Sequence, residues 1–280
     1  RNNILIELSK KISTLVGRTN AEYGLIKEGD KILVGFSGGK DSLTLIHTLN
    51  RIKKVAPYNF EFKAITVTYG MGERVEFLSN HCKEHGIDHE IIDTQIFELA
   101  GEKIRKNSSF CSFFSRMRRG YLYSTAQEQG YNKVALGHHL DDAMESFFMN
   151  FFYNGTMRSM PPIYKAENGL EVIRPLIFCR ERQLRAFATT NEINVIGDEA
   201  CPGLRFDVKM PHARQSTKEL LAKLEEENPK IFVSMKAAFS NIQLSTFFYK
   251  NDIEHIESSE EENIICVDGT CCGSIVYIMR

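Results

Sequence analysis

Residues 31–42, KILVGFSGGKDS, constrain this chain more than any other stretch. Residues 31–36 form a short apolar run of the β-branched and aromatic type that a buried parallel strand requires. At Ser37-Gly38-Gly39 the backbone can turn tightly, and no bulky side chain blocks an approach to it. Asp41 and Ser42 then open an apolar helix over residues 43–49. Free N–H groups at a helix N-terminus, a glycine-rich nest, a lysine and a serine make a phosphate site. An ordinary strand-to-helix turn has no use for Gly-Gly-Lys at a strand end. Two common phosphate loops are excluded. Gly35 to Gly39 leaves three residues between the glycines where the Walker A pattern needs four, and Asp41 stands where that pattern has Ser or Thr. The dinucleotide pattern G-x-G-x-x-G is absent as well.

In its strand–turn–helix setting, SGGKDS resembles the PP-loop of the ATP pyrophosphatases. The resemblance implies a loop of Ser37, Gly38, Gly39, Lys40, Asp41 and Ser42 that grips the β,γ-pyrophosphate of ATP. ATP would be split between its α- and β-phosphates, giving an adenylylated substrate and pyrophosphate. The loop speaks to the nucleotide and not to the substrate.

Composition bounds the rest. The 280 residues suffice for one α/β core and a smaller appendage, and 42% hydrophobic with 25% charged residues is a globular balance. No apolar run approaches the roughly 20 residues of a membrane helix, and no signal peptide is visible, so a cytoplasmic protein without a membrane partner is expected. A net charge of −1 announces no global basic field, so any nucleic-acid contact must be local. Seven scattered cysteines read as thiols, metal ligands or catalysts rather than as a disulfide framework.

Periodicity predicts an N-terminal helix over residues 1–22, with Ile4, Leu8, Ile12 and Leu15 on one face. Further strands are expected at 62–68, 88–92, 133–137, 171–175 and 195–197, and helices at 74–85, 112–129, 140–152 and 180–191. Residues 94–111 read as irregular and 154–168 as a loop. Alternation of strand and helix gives an α/β fold: an open parallel sheet of about five strands with helices on both faces. Helices at 217–227 and 231–242, split at Pro229, form a C-terminal extension. The expected organisation is an N-terminal helical segment (1–29), the ATP-binding domain (30–200), the helical extension (201–250), and an acidic linker with a cysteine-containing tail (251–280). A hairpin is expected in the tail around Asp268-Gly269. Parallel sheets present ligands at the carboxyl ends of their strands, which makes loops 37–42, 69–73 and 137–142 the site candidates. Thr68 and its neighbours would border the adenine or ribose, and Gly137 would lie against the nucleotide.

Gly137-His138-His139-Leu140-Asp141-Asp142 follows the fourth strand and starts a helix. Asp141 and Asp142 there suit Mg²⁺ or a general base; equally, they suit the positive end of the helix dipole. His138 and His139 are neighbours that point apart, which argues against a zinc pair. Arg116, Arg118 and Arg119 share one helix, with Arg105, Lys106, Arg158, Lys165 and Arg174 in nearby loops or strand ends. Converging, they would hold RNA phosphates; otherwise they are solvated surface charge.

SGGKDS, CSFFSRMRRGYLY, KVALGHHLDDAMES, FFYNGTMRSMPPI and VIRPL, in this order, resemble the tRNA 2-thiocytidine biosynthesis (TtcA) family across roughly residues 10–245. The resemblance implies an adenine nucleotide α-hydrolase-like fold and an ATP- and Mg²⁺-dependent sulfurtransferase. Its substrate would be tRNA, where the C2 oxygen of an anticodon-loop cytidine at position 32 is replaced by sulfur. Asp41 would help hold Mg²⁺, and Arg116, Arg118, Arg119, Arg158 and Lys165 would contact tRNA. A sulfur donor such as a cysteine desulfurase or sulfide is implied, and a homodimer is compatible with it.

The family also carries a 4Fe–4S cluster on three cysteines, two of them in a C-x-x-C. Here Cys111 matches the first and Cys201 the later one, while Phe114 replaces the second. A phenyl ring cannot bind iron. Three outcomes stay open: completion of the site by Cys266, Cys271 or Cys272; loss or weak binding of the cluster; or cluster-free chemistry. In the last, Cys111 and Cys201 act as in related tRNA 2-thiouridylases, one carrying a persulfide and one resolving a disulfide. Cys82 and Cys179 read as small buried hydrophobes. Two further readings are an enzyme that adenylylates another substrate and a non-catalytic RNA-binding protein with a relict nucleotide site.

Overall fold

The computed structural model describes residues 6–103, 110–197 and 212–247. Two compact units divide at Pro211 and His212. In the first, α1 (Lys10–Tyr23) is capped by Ser9, whose hydroxyl accepts from the Ile12 amide at 3.3 Å, and it ends at the left-handed Gly24. β1 (Lys31–Gly35), α2 (Lys40–Val55), β2 (Glu61–Val67), α3 (Glu76–Glu84) and β3 (His89–Ile92) follow as parallel β–α–β units. α4 (Ile96–Lys103) and α5 (Phe110–Glu128) then return the chain across the sheet to β4 (Lys133–Ala135). α6 (Leu140–Tyr153), β5 (Ile163–Lys165), β6 (Glu171–Ile173) and α7 (Glu181–Thr190) complete the unit.

Strand order is β3-β2-β1-β4-β6-β5, all parallel except β5. The chain leaves β1 toward β3 and comes back to β4 on the other side of β1. The carboxyl ends of β1 and β4 are therefore the topological switch point, where a doubly wound sheet opens a crevice. Side-chain alternation builds two cores. Ile32 and Val34 of β1 pack with α1, α2, α3 and α7 residues such as Ile12, Leu45, Leu78 and Leu184, while Leu33 faces Ile96, Phe113 and Leu122 of α4 and α5. Both faces are covered, which is why these strands read as continuous apolar runs. Cys82 and Cys179 are buried, and burial pushes the Cys82 thiol up to about 12.

Several local expectations need correction. α1 starts at Lys10, so Leu8 precedes the helix expected over residues 1–22. Residues 195–197 are not a strand: β5 pairs antiparallel with β6, and the Ile196 amide instead donates to the Gly38 carbonyl at 2.9 Å. β5 was hidden because three residues are too few to show a period, and its pairing is set by the tight turn at Gly169. Residues 94–111 contain α4 and the start of α5. In the second unit, α8 (His212–Glu227) and α9 (Ile231–Phe239) pack against each other, α9 ending three residues before position 242. Arg105, Lys106, Cys201, the acidic stretch, and Cys266, Cys271 and Cys272 lie outside the described residues, as does the expected tail hairpin.

Candidate active site

β1 delivers the chain to Ser37, and the turn is made by Gly38, whose φ of +78° suits glycine alone. A Cβ there would meet Ile196 Cδ1 at 2.7 Å and Leu78 Cδ2 at 2.9 Å. Gly39 is the N-cap of α2 and offers no side-chain cap, so the first amides of the helix lack an internal acceptor. Ser42 is the brace. Its hydroxyl donates to the Gly39 carbonyl at 3.0 Å and accepts from the Ser37 amide at 3.2 Å. The loop is therefore shaped before any ligand arrives.

Lys40 Nζ lies 3.4 Å from Asp41 Oδ2 and 3.2 Å from Glu181 Oε1. Burial opposes its charge, but the two carboxylates outweigh burial and raise its pKa above the ordinary lysine value. Burial also raises the Asp41 carboxyl, with Asp142 adding to it, against the opposing pull of His139 and Lys40. Asp41 Oδ1 is a buried oxygen without a hydrogen-bond partner. Gly137 seals the two loops together: a Cβ on it would sit 3.2 Å from both Asp41 C and Ser42 N.

The carboxylates after β4 are engaged. Asp141 takes Arg180 Nε at 3.1 Å and Arg180 Nη2 at 3.0 Å, and accepts the Glu181 amide at 2.8 Å, so it caps α7. Asp142 accepts the His139 amide at 3.0 Å, while His139 Nδ1 accepts the Asp142 amide at 3.3 Å, a reciprocal cap on α6. His138 Nδ1 accepts from Arg174 Nε at 3.2 Å, and burial together with the Arg174 charge lowers the His138 pKa to about 4. That guanidinium also donates to the Pro161 carbonyl at 2.8 Å and lies 5.0 Å over the Tyr164 ring.

At the carboxyl end of β2, the Thr68 hydroxyl donates to Asp93 Oδ1 at 3.2 Å and accepts the Thr94 amide at 3.2 Å, tying β2 to the segment after β3. Beside it an open pocket of about 420 Å³ is lined by Asp93, Thr94, Gln95, Leu99 and Tyr121. Arg118 reaches the same region: its Nη1 donates to the Tyr69 hydroxyl at 2.8 Å and its guanidinium lies 5.2 Å over that ring. Arg119 Nε donates to the Ser115 carbonyl at 3.4 Å, and Arg116 and Lys165 are exposed. Arg158 is half-buried, and its carbonyl accepts from Asn150. Phe114 is buried, edge-on to Tyr69 with ring centroids 5.3 Å apart.

Residues 6–209 match the PP-loop domain family. A curated tRNA-cytidine(32) 2-sulfurtransferase of Geobacter metallireducens is 42% identical over 237 residues, 84% of this chain and 90% of that relative. The chain belongs to the tRNA-cytidine(32) 2-sulfurtransferase family of PP-loop proteins. The relative of that name from Pseudomonas syringae is 37% identical over 249 residues, covering 88% of each chain. Among solved structures, the U34-tRNA thiolase NcsA of Methanococcus maripaludis, with its 4Fe–4S cluster, aligns with a TM-score of 0.66 at 24% identity. That alignment covers 83% of this chain and 77% of that one and shares the fold.

The PP-loop residues fit a divalent cation: Asp41 Oδ1 has no hydrogen-bond partner, only His139 Nε2 at 3.8 Å, and lies beside the amides that would hold the phosphates. The family's cluster fits less well. Phe114, at the second cysteine's place, is a core aromatic packed on Tyr69 and Phe113 and supplies no donor atom. Cys111 lies in α5, its side chain outside those described. Sequence reasoning missed Glu181 at the start of α7 and Arg180 at its N-cap, which reach Lys40 and Asp141 from about 140 and 40 residues away in the chain. An acid at a helix start was the one signal available for Glu181, and it pointed no further than that helix.

Proposed function

We propose that this protein is an ATP-dependent tRNA sulfurtransferase that thiolates C2 of the anticodon-loop cytidine at position 32. What carries the reading is the pre-shaped pyrophosphate cradle at the β1–β4 switch point, in a chain that spans 90% of a tRNA-cytidine(32) 2-sulfurtransferase. Ser37, Gly38, Gly39 and Ser42 hold the β,γ-pyrophosphate through backbone amides and hydroxyls. Lys40 leaves its carboxylates to pair with phosphate. Asp41 holds Mg²⁺, which when bound offsets phosphate charge. Thr68 and Gly137 border the nucleotide. Asp141 and Asp142 act by fixing Arg180, His139 and the α6 start around it.

The cytidine O2 attacks the α-phosphorus, the bond to pyrophosphate breaks, and O2 becomes part of an AMP ester. A sulfur nucleophile adds at C2, and the C2–O bond breaks with AMP taking the oxygen. Arg116, Arg118, Arg119, Arg158 and Lys165 are the basic groups assigned to tRNA phosphates. The sulfur comes from the persulfide of a cysteine desulfurase, or from sulfide where it attacks C2 directly. No described helix is long and apolar enough to cross a membrane.

Phe114 favours a particular sulfur route. With that ligand missing, Cys111 carries the sulfur as a persulfide, and Cys201 attacks the resulting Cys111–S–S–C2 link to release thiolated base and leave a disulfide, which an external dithiol reduces. Incubation of tRNA, α-labelled ATP, a cysteine desulfurase with cysteine as the source of persulfide sulfur, and a dithiol should yield AMP, pyrophosphate and 2-thiocytidine; ADP and phosphate would refute the proposal. Iron and sulfide counts on anaerobically purified protein separate the sulfur routes: stoichiometric iron excludes the cluster-free one.

A further inference from the structure

Two helical turns down α2 from the phosphate loop, three imidazoles meet. His47 is on α2, His81 on α3, and His85 at the C-cap of α3. Each offers a ring nitrogen, and the three nitrogens lie within 4.8 Å of one another. Ring centroids are 5.0 Å (His47–His81), 4.9 Å (His47–His85) and 4.7 Å (His81–His85) apart. His81 and His85 stand one turn apart and so share a helix face. Asn50 of α2 donates to the His85 carbonyl at 3.1 Å and pins the end of α3 to α2. His47 is 5% exposed, while His81 and His85 are half-buried and leave a route from solvent.

We propose that His47, His81 and His85 form a binding site for a zinc-type divalent transition-metal ion, distinct from the nucleotide site. The one ring-to-ring hydrogen bond, His47 Nε2 to His81 Nε2 at 2.8 Å, uses two of the three rings and leaves the third unexplained by hydrogen bonding. Tetrahedral zinc with bonds of about 2.0–2.1 Å spaces two nitrogens roughly 3.3 Å apart, so that pair opens by about half an ångström and the third nitrogen closes in. The ring that donates in the free pair shifts its proton from Nε2 to Nδ1 on binding, so no net proton is lost. Solvent fills the fourth position.

The ion would clamp α3 to α2. Leu78, three residues before His81, closes over Gly38 of the loop, so the clamp steadies one wall of the cradle. Three imidazoles without a thiolate or carboxylate suit zinc and also Co²⁺, which makes Co²⁺ a spectroscopic stand-in.

The full-length protein is titrated with ZnCl₂ against a coloured chelator and with CoCl₂ by absorbance, alongside His85→Gln and His81→Gln. The expected result is one Zn²⁺ whose affinity falls at least 10-fold in either variant. Co²⁺ should give visible bands without the near-ultraviolet thiolate absorption of a cysteine site. Saturating Zn²⁺ should also raise the wild-type melting temperature by roughly 5 °C and His85→Gln by clearly less. Zinc affinity unchanged in His85→Gln, or a Co²⁺ spectrum of thiolate type that both variants retain, overturns the proposal. Because His85 is half-buried at a helix end, His85→Gln keeps the test decisive if His81→Gln fails to fold.

Discussion

Each end of the central sheet holds a lysine between two carboxylates. At the amino end Lys133 is buried and meets Asp30 Oδ2 at 3.0 Å, Glu171 Oε2 at 3.0 Å and the Leu25 carbonyl at 2.9 Å, one acceptor for each of its three protons. At the carboxyl end Lys40 makes looser contacts of 3.4 and 3.2 Å, stays partly exposed, and sits beside Asp41 Oδ1, which has no hydrogen-bond partner. A closed set of partners makes the first lysine part of the fold. An open set leaves the second free to exchange carboxylate for phosphate, because unmet hydrogen-bonding capacity in a crevice is what a ligand can supply.

Exchanging the roles by mutation is the most direct way to break this contrast. Lys40→Met should cut pyrophosphate release by about 10³-fold in a coupled assay, while the urea midpoint hardly moves. Lys133→Met should do the reverse: about 3–5 kcal/mol of stability lost in urea titration, because Asp30 stays buried without its partner, with the folded fraction still turning over. A large stability loss from Lys40→Met, or none from Lys133→Met, would erase the distinction.

Gly137→Ala tests whether the two loops at the open end are one construction. Its Cβ must displace the Asp41–Ser42 backbone, so the Michaelis constant for ATP should rise about 10-fold, matching a strain of roughly 1–3 kcal/mol. The smallest expected effect concerns His138. Its folded pKa of about 4 lies below the ordinary histidine value of 6.5, so the neutral ring stabilises the fold fully above about pH 6.5. That contribution disappears as pH falls toward 4. On the order of 1–2 kcal/mol should be lost between pH 7 and 5, and His138→Gln should flatten the pH dependence of the urea midpoint in that window.

The cradle was legible in the sequence because it is local: strand, turn, lysine and helix start occupy consecutive positions, and each residue type has a backbone reason to be there. The parallel sheet was legible through its apolar runs. Contacts between distant segments were not. Nothing near Arg180 announces that it will hold Asp141, and nothing in residues 195–197 shows that Ile196 will bind the Gly38 carbonyl rather than extend the sheet. The histidine cluster was equally silent, since His47 and His81 are 34 residues apart and meet only when α3 lies on α2.

Gly38 and Gly39 are neighbours with different obligations. Every missense codon at position 38 adds a Cβ to a left-handed residue facing Ile196 and Leu78, whereas at position 39 φ is −74° and the nearest atom, Ser37 Oγ, is 3.5 Å away. In a saturation library scored for cellular abundance, position 38 should be depleted and position 39 retained. Scored instead for thiolated tRNA, both columns should empty, separating what the chain needs to exist from what it needs to hold a nucleotide.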